Sequence, residues 1–163
     1  HFDASTLRSI VTESTQIIAP EIVVAQLPSS LREQAVTLHN GDQMESEGIG
    51  IESVPAYNLS AGRLNFHPKG IGNSYLVTFE NRRIYFSGDT EDIPEMRALE
   101  NVDVAFLCMN LPFTMTEDQA ADAALEFRPK IVYPYHHRGS DTKKFKSTVG
   151  QDPSIQVRLR NWY

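Results

Sequence analysis

Three short stretches carry side chains able to do chemistry: Phe66-His67-Pro68-Lys69-Gly70, Ile84-Tyr85-Phe86-Ser87-Gly88-Asp89-Thr90, and Tyr133-Pro134-Tyr135-His136-His137-Arg138-Gly139. In the second, an alternating β-branched and aromatic run stops at Ser-Gly-Asp-Thr, the pattern of a buried strand delivering one carboxylate to the start of a loop. The third is an apolar run ending in histidine. The first places a histidine among glycine and proline. Two imidazoles and a carboxylate at loop entries form a donor set for a divalent cation. Singly, each has an ordinary reading: His67 as a surface histidine, Asp89 as a turn residue, and His136 as a strand-end histidine bonded to a backbone carbonyl. Together they are more demanding. Positions 67 and 89 are 22 apart, the span of one hairpin, and His136 follows a further strand, helix and strand. Parallel strands repeated in that way bring their C-terminal ends to one edge of a sheet. His1 stands immediately before a helix N-terminus, as a residue in a strand-to-helix loop would.

The elements that must position these groups follow from period and punctuation. Residues 3–14 read as an amphipathic helix capped by Asp3 or Ser5, and residues 16–19 as a strand. Pro20 opens a helix over 21–27, Pro28-Ser29-Ser30-Leu31 breaks the chain, and 35–39 is a strand. Asn40-Gly41 predicts a hairpin with 43–47 as the returning strand, followed by a strand at 49–54. From 55 to 73 no period survives, and a stretch of that length is usually functional. A hairpin over 74–80 and 83–87, turning at Asn81-Arg82, precedes a helix at 93–100 and a strand at 102–109. A helix at 116–127 opens with Thr116-Glu117-Asp118-Gln119, a capping-box pattern. A strand at 131–135, a helix at 142–149 and a strand at 155–159 complete an α/β order. In the last seven residues Arg158 and Arg160 share one face and Val157 and Leu159 the other, the pattern of a closing edge strand.

Composition limits the classes. A chain of 163 residues with 40% apolar and 22% charged residues fits one soluble globular domain, 1–163. A net charge of −6 repels phosphate backbones, so nucleic acid is not an expected partner. No apolar run approaches the roughly 20 residues of a membrane span. A small-molecule substrate is the expected partner, and homo-oligomerisation stays open. The lone cysteine, Cys108, lies in an apolar run and reads as an inert buried thiol, which removes cysteine chemistry from consideration.

Those motifs, extended through Ser87-Gly88-Asp89-Thr90-Glu91-Asp92-Ile93-Pro94-Glu95-Met96, resemble the metallo-β-lactamase-fold metal-dependent hydrolases, most nearly the branch related to ascorbate-6-phosphate lactonases. The resemblance covers essentially the whole chain. It implies an αββα sandwich lacking its first strands, in a chain that continues upstream. It implies metal ligands at His1, His67, Asp89 and His136, with Asp89 bridging two ions and His137 behind the ligands. His1, Asp89 and His136 would hold one ion; His67 and a share of Asp89 would serve the other. Two Zn²⁺ per intact site are implied, with Mn²⁺ as a substitute. The chemistry is hydrolysis of a small ester, lactone or phosphoester by water activated on the cations, with Asp89 and His136 as catalytic residues. Lys69 and Arg138 read equally as binders of a substrate anion and as solvated surface charge. Tyr57, Asn58, Asn110, Phe113 and Thr114 fall in loops at the same edge and are candidates to line a pocket. Two rivals remain: a noncatalytic metal-binding or assembly module of the same fold, and a nuclease, which the acidic balance weighs against.

Overall fold

Asp3 starts the first helix: its carboxylate accepts the Thr6 N–H at 2.7 Å, and α1 runs over Ala4–Ile10. The structure is a computed structural model that describes residues 2–162, so the ligand expected at His1 lies outside the described residues. Helix α1 stops short of residue 14 because Thr12 and Thr15 close a turn of their own. The Thr12 N–H donates to Thr15 Oγ1 at 3.0 Å, hydroxyl chemistry that competes with helix. Next come β1 (Ile17–Ala19), α2 (Glu21–Val24), α3 (Ser29–Arg32) and β2 (Ala35–Thr37). The expected break at 28–31 is a short helix started by Pro28, and α2 ends before the expected 27. Strands β1 and β2 pair in parallel, and Ile17, Leu27 and Leu31 form a small core with Leu7, Val11 and Ala35 packed against it. These elements belong to one of two compact units, residues 1–39; the other is 40–163.

The second unit corrects the Asn40-Gly41 hairpin. Strand β2 pairs with β1, and Asn40 instead uses its side-chain amide to hold Gly72 O at 2.8 Å and Asn73 Oδ1 at 2.7 Å. The first hairpin of this unit turns at Glu47-Gly48, both at positive φ, between β3 (Gln43–Ser46) and β4 (Ile49–Ala56). Strands β5 (Gly72–Phe79) and β6 (Arg82–Phe86) follow, turning at Glu80-Asn81, one residue earlier than expected. The chain continues through α4 (Pro94–Arg97), β7 (Val104–Cys108), α5 (Glu117–Phe127), β8 (Ile131–Tyr135), α6 (Thr142–Val149) and β9 (Gln156–Val157). The seven strands lie in sequence order, antiparallel from β3 to β6 and parallel from β6 to β9.

Each parallel pair needs a crossover, and α4, α5 and α6 supply them. Met96 of α4, Ala120, Ala124 and Phe127 of α5, and Phe145 of α6 share one core with the inward strand residues Leu76, Tyr85, Leu107 and Val132. The opposite side chains of the same strands are aromatic. Phe86 stacks on Phe106 at 4.9 Å between centroids and Phe106 on Tyr133 at 5.2 Å, and Phe86, Phe106, Tyr135 and Trp162 border a cavity of about 380 Å³. The closing strand is two residues long, yet Arg158 and Arg160 do share a face: both reach the ring or hydroxyl of Tyr133.

At the sheet end where β7 begins, Asp103 joins two strands. It accepts from Lys130 Nζ at 2.7 Å and from the Arg83 N–H at 2.9 Å, which hold its carboxyl below the ordinary value of 3.8. A depressed folded pKa adds stability above the unfolded value and loses it as pH falls through the folded one. The melting temperature is therefore expected to fall as pH drops below about 3.8, and to fall less steeply in Asp103→Asn, read by circular dichroism between pH 2 and 6. Equal slopes in the two proteins would remove Asp103 from the account.

Candidate metal centre

At the opposite end, β6 hands the chain to Ser87-Gly88-Asp89. Gly88 is required: its φ is +57° and an added Cβ would sit 3.1 Å from Asn73 O. Ser87 is locked by a 2.6 Å bond from Ser74 Oγ to its carbonyl and by its own Oγ accepting the Cys108 N–H at 3.0 Å. Asp89 is thereby held at the strand ends. His136 follows β8 directly, in the left-handed region at φ +44°, a conformation costly for a residue with a Cβ and concentrated at functional sites. His67 comes from the 57–71 loop.

The three predicted groups meet. His67 Nε2 lies 3.4 Å from Asp89 Oδ2, and His136 Nε2 lies 3.5 Å from Asp89 Oδ1. Burial works against the charge on Asp89, but the neighbouring imidazoles of His67 and His136 outweigh it and set its pKa below the ordinary value.

His67 Nδ1 lies 3.0 Å from Phe113 O. A carbonyl oxygen cannot donate, so Nδ1 carries the proton and Nε2 keeps its lone pair in the neutral ring. That lone pair then faces a carboxylate oxygen, acceptor against acceptor. A positive centre between them, either a second proton on the imidazole or a cation, relieves that repulsion. The spacing suits a cation: ligand atoms about 2.0–2.2 Å from a tetrahedral ion stand roughly 3.4 Å from one another. The donor set thus fits a divalent metal in kind. Each histidine addresses a different oxygen of Asp89, and among the described residues no three His, Cys, Asp or Glu side chains form a complete metal-holding group.

The other predicted residues divide. The Asn110 amide stands 3.4 Å from His136 Nε2, at the centre itself. Asn58, expected to line a pocket, is buried and gives its amide to Phe113 O at 2.8 Å and Arg63 O at 3.0 Å, fixing the same carbonyl that orients His67. Thr114 is buried too, and its hydroxyl accepts the Asn110 N–H at 2.8 Å. Phe113 packs edge-on against Phe66 at 5.0 Å. Tyr57 is buried with its hydroxyl on Glu95 at 2.9 Å, and Lys69 pairs with that hydroxyl at 3.2 Å and with Glu95 at 3.7 Å. Tyr57, expected to line a pocket, is thus buried in the loop, while the Lys69 side chain that pairs with it stays largely exposed. His137 is half-buried on the turn after β8, and Arg138 beside it is exposed. Cys108 is inert as expected, its thiol pushed up to about 11 by burial. Sequence reasoning missed Glu91 and Arg63, whose carboxylate and guanidinium meet behind His67; an acid shortly before a helix looks like a capping residue, so no local signal marked it.

A family model described as a beta-lactamase superfamily domain matches residues 1–137. The chain belongs to that superfamily. A UPF0173 metal-dependent hydrolase of Thermoplasma acidophilum is 28% identical over 163 aligned residues, which cover 92% of this superfamily member and 70% of the relative. The corresponding protein of Listeria welshimeri is 32% identical over 135 residues, covering 77% of this chain and 59% of its own. A crystal structure from Parabacteroides distasonis, described as a metal-dependent hydrolase, superposes with a TM-score of 0.90 at 42% identity over 98% of this chain and 70% of that one. The matched stretch amounts to between 53% and 71% of the curated relatives. The expected metallo-β-lactamase fold and hydrolase family are therefore both met, and a divalent metal is implied by the family.

Proposed function

We propose that this chain carries the metal-ligating edge of a hydrolase that cleaves a small ester, lactone or phosphoester. The observation that carries the reading is His67 Nε2 and His136 Nε2 each facing a different oxygen of Asp89, at 3.4 and 3.5 Å, a spacing that a shared cation shell would fit. His67, Asp89 and His136 would hold Zn²⁺, with Mn²⁺ as a substitute, in two positions sharing Asp89, and His1 is the donor expected to complete one of them. Bound there, the cations supply Lewis acidity and a water of lowered pKa. The residues do the rest. His67 is oriented by Phe113 O and His136 by its strained turn. Asp89 orients the attacking water and takes its proton on a carboxylate oxygen. As the new bond to carbon or phosphorus forms, the bond to the leaving oxygen breaks and that oxygen receives the proton. Arg138, two residues after His136 and exposed, would be the cation that meets a substrate anion, since Lys69 already pairs with Glu95.

The test is metal content by inductively coupled plasma mass spectrometry on chelator-free protein beside His136→Ala, with turnover on a panel of esters, lactones and phosphoesters. About two equivalents of zinc, substantially lost in the variant, with turnover of one panel class, is the expected result. Metal without turnover favours the noncatalytic module. No metal in either protein overturns the mechanism.

A further inference from the structure

Glu91 lies two residues beyond Asp89 in the same turn, and its side chain is fully buried. A buried carboxylate is costly unless every lone pair is answered. All its answers come from the loop that carries His67. The N–H groups of Leu59 and Ser60 donate to Oε2 at 2.5 and 2.6 Å, and Arg63 pairs with Oε1. The neighbouring Thr90 hydroxyl accepts the Tyr57 N–H at 3.1 Å and donates to Tyr57 O at 2.9 Å, and the Glu91 N–H reaches the same oxygen at 3.0 Å. The tripeptide 89–91 is thus a candidate ligand followed by two residues that grip the loop bringing the opposing histidine.

Arg63 carries the link onward. The same Nη1 donates to Thr114 O at 2.9 Å and Gln119 Oε1 at 3.3 Å, and Gln119 is the capping-box residue of α5. Phe113, one residue before Thr114, offers the carbonyl that fixes the His67 tautomer. One ion pair, its carboxylate fully buried, therefore joins the Asp89 turn, the His67 loop and the segment that sets the protonated nitrogen of His67. We infer that Glu91, acting through Arg63, is a positioning residue that holds His67 Nε2 toward Asp89.

The affinity readout rests on the metal reading above; the tautomer readout does not. Glu91→Gln, Arg63→Lys, their double variant and a control, Asp103→Asn, are compared in the full chain. The His67 ring is read by long-range proton–nitrogen NMR in metal-free protein, zinc affinity by chelator competition, and folding by melting temperature. Expected are loss of the fixed Nδ1–H tautomer and about 10–100-fold weaker zinc binding in either single variant. The double variant is expected to be no worse than the more severe single one, because the two groups act as a unit. Asp103→Asn, at the other end of the sheet, is expected to lower the melting temperature and leave tautomer and affinity alone. Arg63→Lys keeps the charge but replaces the planar guanidinium, whose Nη1 reaches all three acceptors, with a differently placed ammonium, so it decides the question if Glu91→Gln fails to fold. Variants that melt earlier with the His67 tautomer intact overturn the inference. If the wild type takes up no zinc, the metal reading fails while the tautomer comparison still decides this one.

Discussion

Asp89→Asn is expected to weaken zinc binding by more than about 100-fold, beyond the 10–100-fold that follows loss of a ligand's outer partner. Both carboxylate oxygens are engaged, Oδ2 toward His67 and Oδ1 toward His136. An amide keeps one acceptor and turns a nitrogen toward the other imidazole, so neither position keeps its charge and one loses its donor atom. The same substitution separates the two ways of relieving the His67 contact. If a cation belongs between Nε2 and Oδ2, removing the charge relieves a repulsion in metal-free protein, and its melting temperature holds or rises. If the imidazole is protonated instead, an ion pair is lost and the melting temperature falls. Chelator competition and calorimetry on metal-free protein check both outcomes, and unchanged zinc affinity would remove Asp89 from the ligand set.

The largest effect on stability is expected at Phe145. Helix α6 spans eight residues and its buried side chains are Phe145 and Val149. The phenyl ring is fully buried in the core shared with Leu107 and Val132. Truncating such a ring removes its transfer free energy and leaves a cavity, together about 3–5 kcal/mol. In a domain of this size each kcal/mol moves the melting temperature by roughly 2–4 °C, so Phe145→Ala is expected to melt roughly 6–20 °C earlier. Phe145→Leu, which refills most of the volume, is expected to lose less. Equal losses would show that the ring edge, and not filled volume, holds α6 on the sheet.

The sequence by itself determined what is encoded within a few neighbouring residues. Thr116 and Gln119 announce the start of α5 because a capping box is closed inside one turn. The apolar run 131–135 announces β8, and the stop at Ser-Gly-Asp announces a carboxylate at a strand end, because side-chain period and turn chemistry are local. The metal-ligating candidates His67, Asp89 and His136 were legible for the same reason. Each closes or follows a local pattern, and α/β order sends such ends to one edge. Tertiary structure decided the rest. Asn40-Gly41 has a hairpin's composition, yet β2 already pairs with β1 and Asn40 is drawn to Gly72 and Asn73, more than thirty residues away. Tyr57 looks like a pocket residue until folding buries it with its hydroxyl on Glu95. Glu91 carries no sequence signal at all. Its partners at 59, 60 and 63 lie about thirty residues upstream, and only folding brings their donors to a carboxylate that could not otherwise be buried.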